Sequence, residues 1–145
     1  FCLMPNHFHL FLQQKRKNGI VKFMQKLGTG YTMSFNEKYE RSGSLFQGTF
    51  KDAHIDSNEY LLHVSAYVNL NDRVHQLGGL TPKLVESRSS WREYIDAGVK
   101  GVCEKSVVLE QFGSGNEYKE FARTSLDSIR ERRAELKDIS NFLLE

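Results

Sequence analysis

Cysteine is scarce in this sequence, and long apolar runs are absent from it. Its two cysteines, Cys2 and Cys103, stand far apart and form no metal or redox spacing. A reduced intracellular protein is the default for such a chain. No stretch approaches the roughly 20 apolar residues a membrane span requires, and no secretory leader pattern appears. There is no internal repeat and no low-complexity tract. The first residue is Phe1 rather than methionine, and a strand-like segment starts at once. The chain therefore reads as the tail of a longer protein whose first part is missing. Only two strand candidates remain, and two strands alone are marginal in water. The missing part, or a second copy of the chain, is expected to supply more.

What is present is an ordinary globular composition, 39% hydrophobic and 26% charged in 145 residues, enough to bury a sizeable core. The net charge of +2 conceals an asymmetry. Residues 1–55 hold 8 Lys and Arg against 3 Asp and Glu, and the remainder holds 12 against 15. A basic segment beside an acidic one points to a polyanion as partner for the first, although solvated surface lysines give the same pattern.

The first candidate strand is Phe1–Leu12. Side chains alternate across a strand, so Phe8, Leu10 and Leu12 are expected to enter a core. His7 and His9 then share the other face, about 6.6 Å apart at the backbone. Two imidazoles in an apolar strand are either hydrogen-bonded core histidines or ligands converging on one ion. A basic loop follows, with Asn18 expected to cap a helix. Ile20, Phe23, Met24, Leu27, Tyr31 and Phe35 recur at helical spacing as an expected core stripe, with Lys22 and Lys26 outside it. Leu45–Asp52 reads as the second strand, with Gly48 marking a bulge or close neighbour.

Asp56-Ser-Asn-Glu59 resembles a capping box opening a helix of about 15 residues to Asn71. On it Tyr60, Val64, Tyr67 and Asn71 form one stripe. A domain boundary is expected at Gly78-Gly79, dividing residues 1–76 from a mostly helical region over 77–145. Within that region Ser89–Tyr94 suits a short helix, and Val107–Phe112 is a small apolar patch. The sequence from Glu117 to Glu145 is free of Gly and Pro and reads as one long helix or two.

If the Tyr67 helix covers the histidine face of the sheet, four side chains meet. Two imidazoles and an amide oxygen suit a divalent metal with open positions. Such a metal would polarise a phosphodiester. The phenol beside it would then serve as nucleophile, ionised by the cationic neighbour.

Met4-Pro-Asn-His-Phe-His-Leu10 resembles the His-hydrophobe-His motif of the HUH single-tyrosine transposases, in particular their relatives associated with repetitive extragenic palindromes (REP). The likeness continues in order through Tyr39-x-Arg41-Ser-Gly-Ser-Leu-Phe-Gln-Gly-x-Phe-Lys51 and Glu59-Tyr-Leu-Leu-x-x-x-x-Tyr67-Val-x-Leu-Asn71. Ser89-Ser-Trp-x-x-Tyr94 resembles a downstream feature of that group. The resemblance, over roughly residues 1–95, implies an α+β fold, a ferredoxin-like or RRM-like antiparallel sheet with helices on one face, followed by a helical C-terminal region. It implies a metal held by His7, His9 and Asn71, and attack by Tyr67 on single-stranded DNA to leave a 5′-phosphotyrosine and a free 3′-hydroxyl. The implied ion is Mg²⁺ or Mn²⁺; two nitrogen ligands suit Mn²⁺ better than the harder Mg²⁺. The implied substrate is hairpin-forming, the implied setting the bacterial cytoplasm at the nucleoid. Relatives differ on whether the tyrosine helix serves its own chain or a partner's, which leaves monomer and homodimer both open.

Two departures stand out. Asp72-Arg73-Val74-His75 replaces the Pro and Val-Arg-Ala run that usually follows the asparagine, and Thr49 stands where Arg is common. Losing that Arg removes a phosphate contact. The cationic candidates for DNA are Lys15, Arg16, Lys17, Lys22, Lys26, Arg41 and Lys51, equally readable as solvated charge. His63, four residues before Tyr67, could face the site; His54 and His75 read as surface residues, and Tyr60 as packing. A non-cleaving, domesticated DNA-hairpin binder of the same fold is the alternative function. A histidine-triad nucleotide hydrolase is a third reading, disfavoured by Phe11, which stands where a third histidine would.

Overall fold

Pro5 and Asn6 break the first candidate strand in two. The computed structural model describes residues 1–74 and 88–142. In it Met4–His7 is a turn, closed by a bond from the Met4 N–H to the His7 carbonyl (2.9 Å). Proline at the second turn position presets the required φ. The expected single strand is therefore a hairpin of β1 (Cys2–Leu3) and β2 (Phe8–His9), paired Cys2 with His9 and Leu3 with Phe8. A third strand, β3 (Arg88–Ser89), pairs antiparallel with the other edge of β1, Cys2 opposite Ser89. The order is β2-β1-β3. His9, Cys2 and Ser89 thus form one row across the sheet, with side chains on one face.

The chain forms two compact units. One comprises Phe1–Phe11 and Ile55–Glu145, the other Leu12–His54. In the first, Ser57 caps α2 (Asn58–Asn69) by accepting from the Tyr60 N–H (3.2 Å). The cap is thus Ser57 rather than Asp56, and position 60 has no carboxylate to complete a box. The helix stops at Leu70, and Asn71 begins a separate turn, α3 (Asn71–Val74). After β3 come α4 (Trp91–Ile95), α5 (Ser106–Leu109) and α6 (Gly115–Phe142).

The core of this unit collects Ala66 and Leu70 from α2, Trp91 and Tyr94 from α4, Val108 from α5, and Tyr118, Ala122 and Leu126 from α6. Phe11 packs against it, in place of the expected Phe8, Leu10 and Leu12. The alternation expected there ends with the strand at His9, and Leu12 is exposed. Arg130 of α6 reaches back, donating from Nη2 to the Arg73 carbonyl at 2.9 Å. The architecture is α+β.

The second unit contains α1 (Gly19–Lys38) and the loop that follows it. Asn18 is its N-cap residue, but in the left-handed region (φ 58°) and without a side-chain cap bond. No residue of α1 is buried, and Phe23, Leu27 and Tyr31 are exposed, so the expected core stripe does not build a core. Leu45–Asp52 is not a strand. A strand needs a ladder partner, and here the segment lies along α1, Phe46 against the Tyr31 ring (6.2 Å). Gly43 (φ 92°) turns the chain back, and its carbonyl accepts from Asn36 Nδ2 (2.9 Å).

The boundary expected at Gly78-Gly79, the connector from Leu80 and the residue His75 lie outside the described residues, as do the α6 side chains from Arg133 on. Among the described residues, no helix is long and apolar enough to cross a membrane.

Candidate active site

The hairpin turn places His7, and β2 places His9. His7 Nδ1 bonds Asn6 Oδ1 at 2.7 Å. An amide oxygen only accepts, so in this bond Nδ1 carries the proton. Asn6 is a residue that the strand reading passed over; it orients the ring as outer partners orient metal-binding imidazoles. The His7 and His9 rings meet edge to face, centroids 5.1 Å apart at 89°. His9 in turn meets the Tyr67 ring edge to face, 5.6 Å away at 77°. Tyr67 lies in the last turn of α2, half-buried beside the core. The structure therefore brings three of the four expected side chains into one run of rings.

Asn71 follows the break at Leu70, so it does not extend the helical stripe of Tyr60, Val64 and Tyr67. It is fully buried, and among the described residues neither Oδ1 nor Nδ2 has a hydrogen-bond partner. A buried amide left unpaired costs about 1–3 kcal/mol, so the position asks for a functional reason. Among the described residues, no group of three or more His, Cys, Asp or Glu could hold a metal ion. Two imidazoles and an amide oxygen are donor types that suit a borderline or hard divalent cation completed by water.

Cys2, opposite His9 in the ladder, is fully buried, and burial pushes its thiol pKa up, keeping it protonated. His63 does not face the site. Its Nδ1 lies 3.1 Å from Ser125 Oγ on α6, and its ring packs on Phe121. The helical period turns residue 63 toward α6, where the fold has put a partner. His54 is exposed. Tyr31, Tyr39 and Tyr60 are all exposed, Tyr60 at 42% rather than packed.

The seven cationic candidates, Lys15, Arg16, Lys17, Lys22, Lys26, Arg41 and Lys51, all belong to the Leu12–His54 unit and are all exposed. Lys15 and Arg16 border a cavity of about 350 Å³ whose apolar wall is Leu12, Ile20 and Phe23. Arg41 is folded back over the Phe35 ring (5.6 Å), with Nη2 3.4 Å from the Ser44 carbonyl.

Behind the site lies a buried polar chain that sequence reasoning missed. Ser90 Oγ donates to Asn69 Oδ1 (2.6 Å), and Asn69 Nδ2 donates to the Tyr118 hydroxyl (2.9 Å). Tyr118 lies 3.2 Å from Ser65 Oγ, which itself donates to the Leu62 carbonyl (2.7 Å). The faint signal was Ser65 and Asn69, two polar residues one turn apart on the inner face of α2. Desolvation raises the pKa of both Tyr118 and Tyr94.

No curated protein and no solved structure matches this chain. One family model does, that of the IS200-like transposases, over residues 1–71. Residues 1–71 contain His7, His9, Tyr67 and Asn71, so the part of the chain that carries this arrangement is similar to the IS200-like transposase family.

Proposed function

We propose that this chain nicks and rejoins single-stranded DNA as a tyrosine transposase, with Tyr67 as nucleophile. The observation that carries the reading is the run of rings His7–His9–Tyr67, inside the stretch matched by the transposase family. In the proposed step the Tyr67 oxygen bonds the phosphorus and the P–O3′ bond breaks. The phenol proton passes to solvent, and the departing 3′-oxygen ends as a hydroxyl. The 5′-phosphotyrosine keeps a phosphodiester bond, so a second 3′-hydroxyl can displace the tyrosine without external fuel.

His7, His9 and the amide oxygen of Asn71 would hold a divalent cation, Mn²⁺ or Mg²⁺. That ion supplies positive charge against the phosphate oxygens. The residues would do the remainder: Asn6 Oδ1 orients the His7 ring through Nδ1, and the T-shaped contact sets the Tyr67 ring against His9. The exposed cations of the Leu12–His54 unit would meet the phosphate backbone. A REP-type hairpin in bacterial chromosomal DNA is the substrate class that the motif resemblance supports, and a homodimer is compatible with it.

The test uses single strands carrying a hairpin and a label at the 3′ end, incubated with the protein and Mn²⁺ and separated under denaturing conditions. Label is expected on the protein, and none with Tyr67→Phe. An adduct that persists in Tyr67→Phe excludes this nucleophile. Binding without any nicking by the wild type favours the non-cleaving hairpin binder.

A further inference from the structure

We propose that Asn69, Ser90 and Tyr118 are positioning residues that set the Tyr67 ring against the histidine hairpin, an inference that rests on the catalytic reading above. Ser90 and Tyr118 lie beyond the stretch matched by the family.

Tyr67 and His9 sit on separate elements, and no backbone ladder joins a helix to a sheet. Their spacing must be set by what ties α2 to β1. Apolar packing brings α2 onto the body but leaves it free to slide, because dispersion contacts are individually weak and non-directional. The polar chain removes that freedom. Asn69 is the last residue of α2, two positions after Tyr67 and two before Asn71. Its amide is 2% exposed and is bonded on both sides. On one side Asn69 Oδ1 accepts from Ser90 Oγ, and the Ser90 N–H donates to the Phe1 carbonyl at 2.9 Å, continuing the β1–β3 edge. The next residue along β1, Cys2, pairs with His9. On the other side Asn69 Nδ2 donates to Tyr118, at 0% exposure on α6.

The donors fall in one direction. Ser65 spends its proton on the Leu62 carbonyl, so the Tyr118 hydroxyl donates to Ser65 and accepts from Asn69. Each hydroxyl of the chain thus gives one bond and takes one, and the amide is held at both ends. One bonded path therefore runs from α6 through the end of α2 to the strand behind His9.

The test compares Tyr118→Phe, which deletes one hydroxyl from the chain, with Leu126→Ala, which opens a cavity in the same core and touches no polar bond. Two readouts are taken where both variants are folded: the single-turnover rate of the DNA adduct, and the proton shifts of the His9 ring, which the Tyr67 ring current displaces. Tyr118→Phe is expected to slow the adduct about tenfold with unchanged affinity for single-stranded DNA, as small misplacements of reacting groups do, and to move the His9 shifts. Leu126→Ala is expected to lower stability and leave both readouts in place. Asn69→Ala combined with Tyr118→Phe should be no slower than the worse single variant, since both cut one path. Equal slowing by Leu126→Ala, or unmoved His9 shifts in Tyr118→Phe, overturns the proposal. If the wild type forms no adduct while the His9 shifts move in Tyr118→Phe alone, the positioning stands and the catalytic reading falls.

Discussion

Replacing Asn71 by leucine should make the protein more stable and, on the proposed reading, less able to hold a divalent metal. The two side chains branch at the same atom and carry the same number of heavy atoms. In the wild type the amide is buried, with both polar atoms unpartnered among the described residues. Burying such a group without a hydrogen bond costs about 1–3 kcal/mol. Leucine removes that cost and adds apolar contact, while its tetrahedral branch takes some of the gain back as strain. A net gain of about 1 kcal/mol is expected, which for a chain of this size is a rise of roughly 2–4 °C in Tm.

The comparison is made by thermal and urea unfolding, first in a chelator and then in Mn²⁺. At Mn²⁺ about 100 times its dissociation constant, a ligand that binds only the folded state stabilises by about 2.7 kcal/mol. The wild type should show that gain and Asn71→Leu much less, so the order of stability reverses between the two conditions. A variant less stable than the wild type by more than about 1 kcal/mol in the chelator would refute the reasoning. It would mean that the amide is satisfied in solution and is structural. Equal stabilisation of both proteins by Mn²⁺ would remove Asn71 from the ligand set.

Three further outcomes are expected. Leu70→Ala, at a fully buried position between Tyr67 and α3, should cost about 2–5 kcal/mol in urea unfolding. Stability should fall above pH 10: burial raises the pKa of Tyr118 and Tyr94, so the unfolded chain releases these protons first. The stability they confer is intact below the ordinary tyrosine pKa and is lost as pH climbs toward the folded values, at about 1.4 kcal/mol per pH unit for the fully buried Tyr118. Denaturant midpoints between pH 9 and 11.5 measure this, and Tyr118→Phe should flatten the slope. Affinity for single-stranded DNA should drop steeply with salt, and Lys15→Ala with Lys17→Ala should lower the slope of log K against log salt by about 0.7 for each phosphate contact removed.

Much of the helical content was legible. α1, α2 and α6 follow from residues recurring every three or four positions, a local signal that needs no knowledge of what lies opposite. The identity of the candidate site residues was equally local, since the His7-x-His9 and Tyr67-x-x-x-Asn71 spacings stand in the chain as written. The meeting of His7, His9 and Tyr67 was not local. It needs α2 to lie against β2, and that placement depends on a core drawn from residues 66 to 126.

Strands fared worse, for a physical reason. A strand exists only through its partner, so Leu45–Asp52 looked like a strand and is none, while Arg88–Ser89, with no alternation to mark it, is one because β1 has a free edge. The same holds for burial. The stripe on α1 is apolar whatever surrounds it, yet no residue of α1 is buried. Composition by itself determined that helices form and where polar chemistry is concentrated. Tertiary structure alone decided that Arg88–Ser89 pairs with β1, that His63 turns to α6, and that Asn69, Ser90 and Tyr118 meet. Those choices rest on contacts between residues far apart in the chain, and their energies cannot be summed until the chain has closed on itself.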